Sequence, residues 1–422
     1  MEKPLLAAKK NIIKIVTLKR VRLTCLLLCG LAAWQYFQTK IYIFPEPTPF
    51  SGDHLYNPYA GIRNGTWVKG NFHAHSKSWF GLTDGQQSPQ DMVNVYRDHG
   101  YDVASLSDYH KINNAIYTSG NISVPVYEHG MNLNKVHHLG IGAEKVTFND
   151  VMLWQSNSVK QFFIDQMRQT APVVCVNHPG LFRGHDTDDL AYLTGYDCME
   201  VLNRHRKYFD HWDAALSAGR AVWILGNDDC HDLVKEDVAK SWNLISVTER
   251  TSDNVISAIK RGSSFAVRRT ISIENADSLA KWAARNNGNI VQNISTKGHE
   301  VFYKFNTIAK QIKLIGQGGN LVRETHNTDS IHYAFTADDT YIRAEIELPE
   351  ITLYLNPVVR YKGNIPPANY SLAEVDFVFT LLLRLRILIA FFGFIVLIFP
   401  ELITWLTRPT KKLLRPSYDT NA

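Results

Sequence analysis

The sequence of 422 residues predicts an α/β protein: a distorted seven-stranded (β/α) barrel of the TIM type, then a small all-β sandwich, with a transmembrane helix at each end. Three observations predict this fold class. Strand-like and helix-like runs alternate between residues 67 and 268, which is typical of a parallel sheet. Later runs alternate apolar and polar residues, as half-buried antiparallel strands do. Two long apolar stretches lie near the termini, where they predict membrane spans.

The N-terminal end predicts a membrane anchor. A basic segment, residues 1–22, precedes an apolar stretch that covers residues 23–44. A cleaved signal peptide is the main alternative, but no small-x-small cleavage site followed by a polar start is evident. We therefore expect an uncleaved transmembrane segment. Residues 45–64 are rich in Pro, Gly and Asn, and this composition predicts a linker.

The predicted barrel covers residues 65–269. Helices fit between several of its strands: Ser88 and Pro89 form a helix start, and residues 252–261 carry an apolar stripe that ends before Gly262. Parallel strands with polar residues at their carboxyl ends favour a closed barrel whose site lies on that face. The predicted strands are Trp67–His73, Asp102–Leu106, Val136–Ile141, Val173–Asn177, Cys198–Asn203, Ala221–Asn227 and Asn243–Val247.

The pattern changes after Arg269. Residues 270–362 are predicted to form the β-sandwich, and in one of its runs Ile342, Ala344 and Ile346 alternate with larger or charged residues. The second apolar stretch, residues 377–406, is long enough to span about 30 Å of hydrocarbon, although an interfacial helix is the alternative. A basic tail, residues 407–422, follows it.

The charge distribution bears on both partners and location. The net charge is +5, yet the positive charge is concentrated in the two terminal segments and leaves an acidic middle. An acidic middle argues against a nucleic-acid-binding surface. Basic segments outside the two apolar stretches predict that both termini are cytoplasmic. The middle of the chain is then expected to be extracytoplasmic, and periplasmic in a bacterium.

Six short segments contain side chains that bind divalent metal ions. Histidine nitrogen and carboxylate oxygen suit Zn²⁺, Mn²⁺ and Fe²⁺. Any one of these histidines is more often an ordinary histidine than a ligand, but eight or nine potential ligands exceed the needs of one four-coordinate ion. The segments are Gly70-Asn-Phe-His73-Ala-His75, Ser107-Asp108-Tyr109-His110, Tyr127-Glu128-His129-Gly130, Val136-His137, Val176-Asn177-His178-Pro179 and Gly226-Asn-Asp-Asp229-Cys-His231.

Two of the segments contain ligand pairs with the same spacing. His73 and His75, like Asp229 and His231, are two residues apart, a spacing that puts both side chains on one face of a strand. Each pair follows an apolar run. The sequence therefore predicts a cluster of two or three divalent ions, Mn, Zn or Fe, of the catalytic kind.

The order of these segments resembles that of the PHP (polymerase and histidinol phosphatase) family over about residues 67–268. The His73-x-His75 segment and the Gly226–His231 segment are the most specific parts of the resemblance. The resemblance implies a distorted seven-stranded barrel and a metal-dependent phosphoesterase, here a membrane-anchored one with an appended β domain. The metal ligands that it implies are His73, His75, Asp84, Glu128 as a bridge between two ions, His137, His178, Asp229 and His231.

Two positions depart from the pattern of the family. Tyr109 stands where the family has a histidine, so either the following His110 is the ligand or one ligand is lost. We include His110 among the expected ligands. The choice of His137 over the adjacent His138 rests on spacing alone.

The expected activity is hydrolysis of a phosphate mono- or diester by a hydroxide held between the ions. The expected substrate is a phosphorylated small molecule or a lipid-linked phosphate. Asp229, His231 and Arg183 are the expected catalytic residues, with Arg183 as a clamp on the substrate phosphate. Arg204, His185 and His205 are weaker candidates at the same mouth. Two alternatives stay open: a metal-dependent amide or ester hydrolase, and a non-catalytic membrane receptor or assembly protein with a vestigial site.

Overall fold

The structure is a computed structural model, and it describes residues 2–62, 66–113, 121–204, 206–235, 238–270, 290–370, 372–401 and 403. The chain divides into two compact units, one of Met1–Ile41 with Phe377–Ala422 and the other of Tyr42–Asp376. The helices of the described part are α1 Glu2–Gln38, α2 Pro89–Asp98, α3 Asn157–Arg168, α4 Thr187–Tyr192, α5 Phe209–Ser217, α6 Ser252–Arg261 and α7 Phe377–Ile398. Its strands are β1 Ile41–Ile43, β2 His54–Tyr56, β3 Thr66–Asn71, β4 Val103–Ala104, β5 Val126–His129, β6 His138–Ile141, β7 Val173–Val176, β8 Cys198–Leu202, β9 Trp223–Gly226, β10 Ser241–Val247, β11 Ser264–Arg269, β12 Val291–Lys297, β13 Glu300–Ile315, β14 Leu321–Ala334, β15 Tyr341–Glu347, β16 Ile351–Leu355, β17 Val358–Tyr361 and β18 Glu374–Asp376.

In the smaller unit, α1 and α7 pack against each other. Arg22 Nη1 lies 3.1 Å from Glu401 Oε1, and the amide of Ile41 donates to Thr380 Oγ1 at 3.0 Å. Arg22 lies beside Glu401, whereas Ile41 lies beside Thr380. The chain therefore runs in opposite directions in α1 and α7, and the two helices are antiparallel. Among the described residues, α7 is the one helix that is long and apolar enough to cross a membrane, with a mean hydropathy of 2.5. The N-terminal span at residues 23–44 stays a prediction.

In the larger unit, seven strands follow one another in a ring. β5, β6, β7, β8 and β9 form one sheet in that order, and β3 pairs with β4 in another. Two isolated bridges join these sheets. Tyr109, after β4, pairs with Glu128 of β5, and Ala74, after β3, pairs with Cys230, after β9. The order is therefore β3-β4-β5-β6-β7-β8-β9 and back to β3, within a mixed α/β unit.

The strand directions differ in part from the predicted parallel sheet. β3–β4, β7–β8 and β8–β9 are parallel, but β5–β6 and β6–β7 are antiparallel, so the prediction is wrong at β6. The connection of residues 130–137 is too short for a crossover, so β6 runs against β5. The path of residues 142–156 then sets the direction of β7. Glu144 N donates to Thr170 O at one edge of the sheet, and Thr147 O accepts from His110 Nδ1 at the other edge. The chain thus runs back along the sheet before α3 begins. α3 then returns it to the end of the sheet where β6 stops, and β7 starts there.

Two strand assignments also differ. β5 is a strand of the ring that was not among the predicted strands. β10, which was predicted as the seventh barrel strand, pairs antiparallel with β3 and β11 and lies outside the ring. The two helices predicted from their ends are confirmed. Ser88 Oγ accepts from the amide of Asp91 at the start of α2, and Gly262 ends α6 with a φ of 76°.

The later strands continue the sheet that contains β3. β11 pairs with β16, β16 with β15, β15 with β13, and β13 with both β12 and β14. The boundary predicted at residue 269 therefore falls at the end of a strand that pairs across it. In β15, Ile342, Ala344 and Ile346 are buried as the alternation predicted, but Tyr341 and Arg343 of the expected polar face are buried as well, and only Glu347 is exposed.

Alternate residues of the ring strands pack into one apolar cluster. Its members include Val126 of β5, Leu139 of β6, Cys175 of β7, Cys198 of β8 and Leu225 of β9. The intervening residues pack elsewhere; Val174, Met199 and Ile224 belong to a second cluster that includes residues of α3, α4 and α5. The side chains of a strand alternate between its two faces. Polar residues two positions from the first set therefore lie on the same face as the apolar cluster.

A buried ion pair joins α5 to the extended sheet. Arg343 Nε donates to Asp213 Oδ1 at 2.8 Å and Arg343 Nη2 to Asp213 Oδ2 at 2.7 Å, while the Tyr341 hydroxyl donates to Asp213 Oδ1 at 2.9 Å. All three residues are buried. The pair fixes the position of α5, and with it the end of β8 that precedes this helix.

We expect Asp213→Ala to destabilise the protein by about 3 kcal/mol, because it removes the bidentate partner of the buried Arg343 guanidinium and leaves only the Nη1 contact with Glu345, at 2.6 Å. Asp210→Ala is the matched control, since Asp210 is exposed on the same helix. Thermal unfolding of both variants in detergent tests this. Equal melting temperatures for the two variants would show that the contact with Glu345 is enough to stabilise the buried Arg343.

Candidate metal centre

The site lies where the inward-facing rows of the ring change from apolar to polar residues. On each of five strands, a polar residue lies two positions along the chain from a residue of the apolar cluster, and therefore on the same face. These polar residues are Glu128 of β5, His137 before β6, Asn177 after β7, Glu200 of β8 and Asn227 after β9. All five side chains are buried. β6 runs antiparallel to its neighbours, so its start lies at the edge where the parallel strands end. His137 therefore meets the others although it precedes its strand.

Four side chains from the ends of β3, β5 and β9 contact one another at the centre of the site. His73 Nε2 lies 3.2 Å from His75 Nε2, from Glu128 Oε1 and from Asp229 Oδ1. His75 Nε2 lies 3.1 Å from Glu128 Oε2 and 3.5 Å from Asp229 Oδ1. All of these side chains are buried. We refer to His73, His75, Glu128 and Asp229 as the first ligand group.

These distances fit a bound divalent ion. In a tetrahedral site with bonds of about 2.0–2.1 Å, neighbouring ligand atoms lie about 3.3–3.4 Å apart. The five distances within the first ligand group are 3.1–3.5 Å. Two imidazole nitrogens that face each other at this separation repel unless a proton or a cation lies between them. The donor set of two imidazoles and two carboxylates is also one that zinc, manganese and iron accept.

A second group shares Glu128 with the first. His137 Nδ1 lies 3.1 Å and His178 Nε2 lies 3.5 Å from Glu128 Oε1, and ligand atoms of the three residues all lie within 4.8 Å of one another. Asn177 Nδ2 donates to the same oxygen at 2.8 Å and orients the carboxylate. Glu128 thus stands between two sets of imidazoles, as the resemblance implied. The neighbouring His138 lies next to His185 instead, with ring centres 5.4 Å apart.

Glu200 belongs to the site and was missed by the sequence analysis. Its Oε1 lies 3.0 Å from His73 Nδ1, and its Oε2 accepts from the amide of His178 at 3.1 Å and from Asn203 Nδ2 at 3.2 Å. A carboxylate that holds the second nitrogen of a ligand histidine fixes the tautomer and the ring orientation. A single acid in the apolar run Cys198–Leu202, on the inward face, was the signal that could have revealed it.

The third group lies at the exposed side of the cluster. His75, Asp229 and His231 have ligand atoms within 4.8 Å of one another, and His231 Nε2 lies 3.3 Å from Asp84 Oδ1. The Asp84 side chain is 63% exposed, so it marks the direction of solvent. Its hydrogen bond to His231 is the main reason why the pKa of Asp84 falls to about 2. Asp229 has a φ of 49°, and its amide donates to His73 O at 2.9 Å, which ties the two ligand segments together.

His110 does not join the cluster. Its Nδ1 lies 2.9 Å from Thr147 O, its Nε2 accepts from the amide of Gly130 at 3.2 Å, and its ring stacks on Phe148. Backbone groups occupy both ring nitrogens, so the predicted ligand role has no support in the geometry. The physical reason is a left-handed backbone, since His110 has a φ of 48° and turns away after the bridge at Tyr109.

Tyr109 faces the cluster instead. Its ring stacks on His75 at 4.6 Å between ring centres and meets the ring of His137 edge-on at 5.5 Å. Burial, followed by the negative charges of Glu128 and Asp229, raises the pKa of its hydroxyl far above the ordinary value. Tyr109 is therefore a neutral phenol between two proposed ligand histidines.

The predicted phosphate clamps lie on loops that follow strands of the ring. Arg183 is exposed on the loop after β7, and Arg204 is half-buried after β8. His185 is buried beside His138, and His205 lies outside the described residues. Lys135 is a further cation at the site, with its Nζ 5.9 Å from the centre of the Tyr109 ring.

Charge within the cluster is balanced between acids and imidazoles. Burial alone lowers the pKa of His75, but its hydrogen bonds to Asp229 and Glu128 outweigh burial and raise this pKa to about 9. The pKa of His73 is also raised, by Asp229 and Glu128, against the effect of burial. Burial raises the pKa of both carboxyls, yet His73 reverses this and holds the pKa of Glu128 and of Asp229 well below the usual range. A divalent cation would replace the protons on the two imidazoles.

Comparison with models of known protein families and with curated proteins finds no match for this chain. A comparison with solved structures finds the crystal structure of a two-domain protein from Bacteroides vulgatus ATCC 8482 that contains a predicted PHP-like metal-dependent phosphoesterase. The two chains share 14% sequence identity, and the alignment covers 79% of this chain and 99% of the other, with a TM-score of 0.39.

Proposed function

We propose that this protein is a membrane-anchored, metal-dependent phosphoesterase that hydrolyses a phosphate mono- or diester. The observation that supports the proposal best is the shared position of Glu128. It contacts His73 and His75 on one side and His137 and His178 on the other. A carboxylate between two imidazole sets is suited to bridging two ions. The ring order of seven strands, with two bridges between its sheets, supports a distorted barrel of the PHP type as the scaffold.

The proposed ligands are His73, His75, Glu128, His137, His178, Asp229 and His231, with Asp84 beside His231. Two or three ions of Mn, Zn or Fe would supply Lewis acidity and lower the pKa of water at the site. Glu200 holds Nδ1 of His73, so that Nε2 is the atom that faces the ions. Asn177 and Asn203 donate to Glu128 and Asp229, respectively, and keep these carboxylates in place.

The substrate phosphate is expected to bind on the solvent side of the cluster, near Asp84 and Tyr109. Lys135 and Arg183 are cations at this side, and a phosphate between them would gain charge-assisted hydrogen bonds. Tyr109 is neutral and, beside the ligand histidines, excludes water from one flank of the site. Substitution of each residue tests its proposed role.

The test is an assay of the purified full chain in detergent with Mn²⁺, Zn²⁺ or Fe²⁺, against phosphate monoesters and diesters beside carboxylic esters and amides. We expect phosphate release that a chelator abolishes and that added metal restores. Metal-dependent hydrolysis of the carboxylic esters or amides alone would favour the first alternative. A chain that binds metal but hydrolyses none of the panel would favour the non-catalytic receptor with a vestigial site.

Tyr109→His should raise the metal content of the protein. The ring at this position contacts both His75 and His137, so an imidazole there brings a nitrogen to the cluster. Tyr109→Phe is the control, since it keeps the ring and adds no ligand. Elemental analysis of the two variants and the wild type decides the matter. An unchanged metal content in Tyr109→His would contradict the proposed position of this residue in the family pattern.

We further propose that the hydrolase unit is extracytoplasmic and that both termini are cytoplasmic. The basic segments outside the two apolar stretches support this orientation, although Arg384 and Arg386 compete with the basic tail at the second stretch. Reporter fusions after residues 60, 370 and 420 test it, with outside signals expected at the first two positions. A cytoplasmic signal at residue 60 would refute the orientation of the anchor. An outside signal at residue 420 would show that the second stretch does not cross.

A further inference from the structure

Large apolar side chains are exposed on four loops around the proposed metal centre. Single exposed apolar residues are common on soluble proteins, whereas a group of them on adjacent loops marks an interaction surface. Phe80 and Leu82 are essentially fully exposed, at 105% and 88%. We call these residues the apolar rim; they are Trp79, Phe80, Leu82, Met131, Leu133, Phe148, Met152, Trp154 and Phe182.

The loops of the apolar rim contact one another. Trp79 and Phe148 meet edge to face with ring centres 6.5 Å apart, and Leu133 N donates to Met152 O at 3.0 Å. A Cβ at Gly184 would lie 2.8 Å from Lys135 O, so the loop of Phe182 lies against the loop of Leu133. The four loops therefore form one continuous surface.

Three of the four loops of the apolar rim adjoin the proposed metal centre, because they connect or follow proposed ligands. Trp79, Phe80 and Leu82 lie between His75 and Asp84, and Met131 and Leu133 lie between Glu128 and His137. Phe182 closely follows His178. The indole of Trp79 donates to Tyr109 O at 2.7 Å, and the Tyr109 ring stacks on His75. Anything that binds the apolar rim is thus brought to the metal centre.

The backbone holds two of these aromatic side chains outward in an unusual way. Trp79 and Phe80 have φ of 50° and 57°, and Phe182 and Arg183 have φ of 49° and 57°. Bulky residues rarely adopt this left-handed conformation, and backbone strain of this kind concentrates at functional sites. Two consecutive residues with positive φ occur in both the loop of Phe80 and the loop of Phe182. This repetition indicates that the backbone of each loop specifically exposes its phenylalanine.

The chemistry of the apolar rim fits the interfacial region of a lipid bilayer. Aromatic residues with flanking Lys or Arg are typical of segments that lie in this region. Each of three tips carries one cation and no acid: Lys77 within 76–82, Lys135 within 131–136 and Arg183 within 179–185. A membrane-length helix, Phe377–Ile398, directly follows Asp376, the last residue of the unit that bears the apolar rim. Such a tether would keep that unit close to a bilayer.

We propose that the apolar rim docks onto a phospholipid bilayer, inserting Phe80 and Phe182 at the interface, and that the site acts on phosphate groups presented by lipids in that bilayer. The statement about docking is independent of catalysis. The statement about the substrate rests on the proposed function.

Docking is tested with spin labels on the full chain in vesicles of phosphatidylethanolamine and phosphatidylglycerol. Labels are placed at Phe80→Cys and Phe182→Cys, with Ile308→Cys as the control, because Ile308 is an exposed apolar residue of β13. Cys25 and Cys29 are first replaced by alanine; Cys175, Cys198 and Cys230 are buried.

We expect collisions with oxygen to rise and collisions with a water-soluble nickel chelate to fall at positions 80 and 182, with no such change at 308. Labels at 80 and 182 that stay open to the nickel chelate would overturn docking. Labels shielded from both reagents would also overturn it, since that result indicates a protein partner.

A second arm tests the substrate. The double variant Phe80→Ser, Phe182→Ser is assayed on phosphatidic acid in the same vesicles and on water-soluble p-nitrophenyl phosphate. We expect KM for the lipid to rise severalfold, with unchanged kinetics on the soluble ester. Equal kinetics of wild type and variant on the lipid would overturn the substrate assignment. If the labels insert but neither ester is hydrolysed, docking stands and the proposed function fails.

Discussion

His73→Ala and Asp229→Ala should each lower hydrolysis of phosphate esters by orders of magnitude while the fold is kept. His73 Nε2 meets three other ligand atoms at 3.2 Å, and Asp229 Oδ1 contacts both His73 and His75. Both residues follow the ends of their strands, outside the apolar clusters, so their loss empties the metal centre and leaves the core packing intact. Steady-state assays with saturating Mn²⁺ or Zn²⁺, together with circular dichroism, measure the two effects.

Two further variants make this test specific. Glu200→Gln removes the charge beside Nδ1 of His73, and loss of such a partner typically costs about 10–100-fold in metal affinity or activity. His110→Asn should keep metal content and turnover, because His110 bonds to backbone groups and lies outside the cluster. Near-wild-type turnover of His73→Ala or Asp229→Ala with full metal would refute the site. So would loss of metal from His110→Asn with a folded chain.

The ligand segments were predictable because metal ligands have a distinctive residue type and regular spacing. The predicted geometry of the pairs was nevertheless inexact. β3 ends at Asn71 and β9 at Gly226, so His73, His75, Asp229 and His231 follow the strands instead of continuing them. They converge because Ala74 bridges to Cys230 and because Asp229 adopts a positive φ. Such a local turn has no clear signal in a non-glycine sequence.

Glu200 and Tyr109 show what spacing alone leaves out. Glu200 stands singly in an apolar run, and its inward direction follows only once β8 is known to align with Glu128 and Asn177 on the same face. At Tyr109 the family pattern left two alternatives open, His110 as the ligand or one ligand lost. The structure adds that the Tyr109 ring packs between His75 and His137, a tertiary contact that no local pattern encodes.

The directions of the strands had a similar limit. Alternating strands and helices predict parallel pairing, but the short connection of residues 130–137 turns β6 against β5. Residues 142–156 then run back along the sheet without forming a strand, so β7 is antiparallel to β6. In the later region, β13 and β14 form one long antiparallel pair with a register shift after Lys304. A polar interruption within a long strand resembles a turn when only the sequence is read.

The second large effect expected is on stability, when metal is removed. Without ions, the centre keeps Glu128 and Asp229 buried beside imidazoles whose protons balance the charge. Any ion that binds only the folded chain stabilises it by mass action. We therefore expect chelation to lower the melting temperature, and metal to restore it, in proportion to the metal bound. His75→Ala should reduce this difference, whereas His110→Asn should not.

The difference in melting temperature should also widen as the pH rises from 6.5 to 9. The pKa of His75 in the metal-free protein is raised from 6.5 to about 9, so its proton stabilises the folded state fully below 6.5 and this contribution is lost as the pH passes 9. A bound ion requires the unprotonated imidazole, and ion binding therefore releases protons and tightens over the same range. Both effects separate the metal-loaded and chelated proteins in the same direction. Differential scanning calorimetry across this range measures the separation, and a difference that stays constant or narrows with rising pH would show that His75 does not exchange a proton for a metal ion.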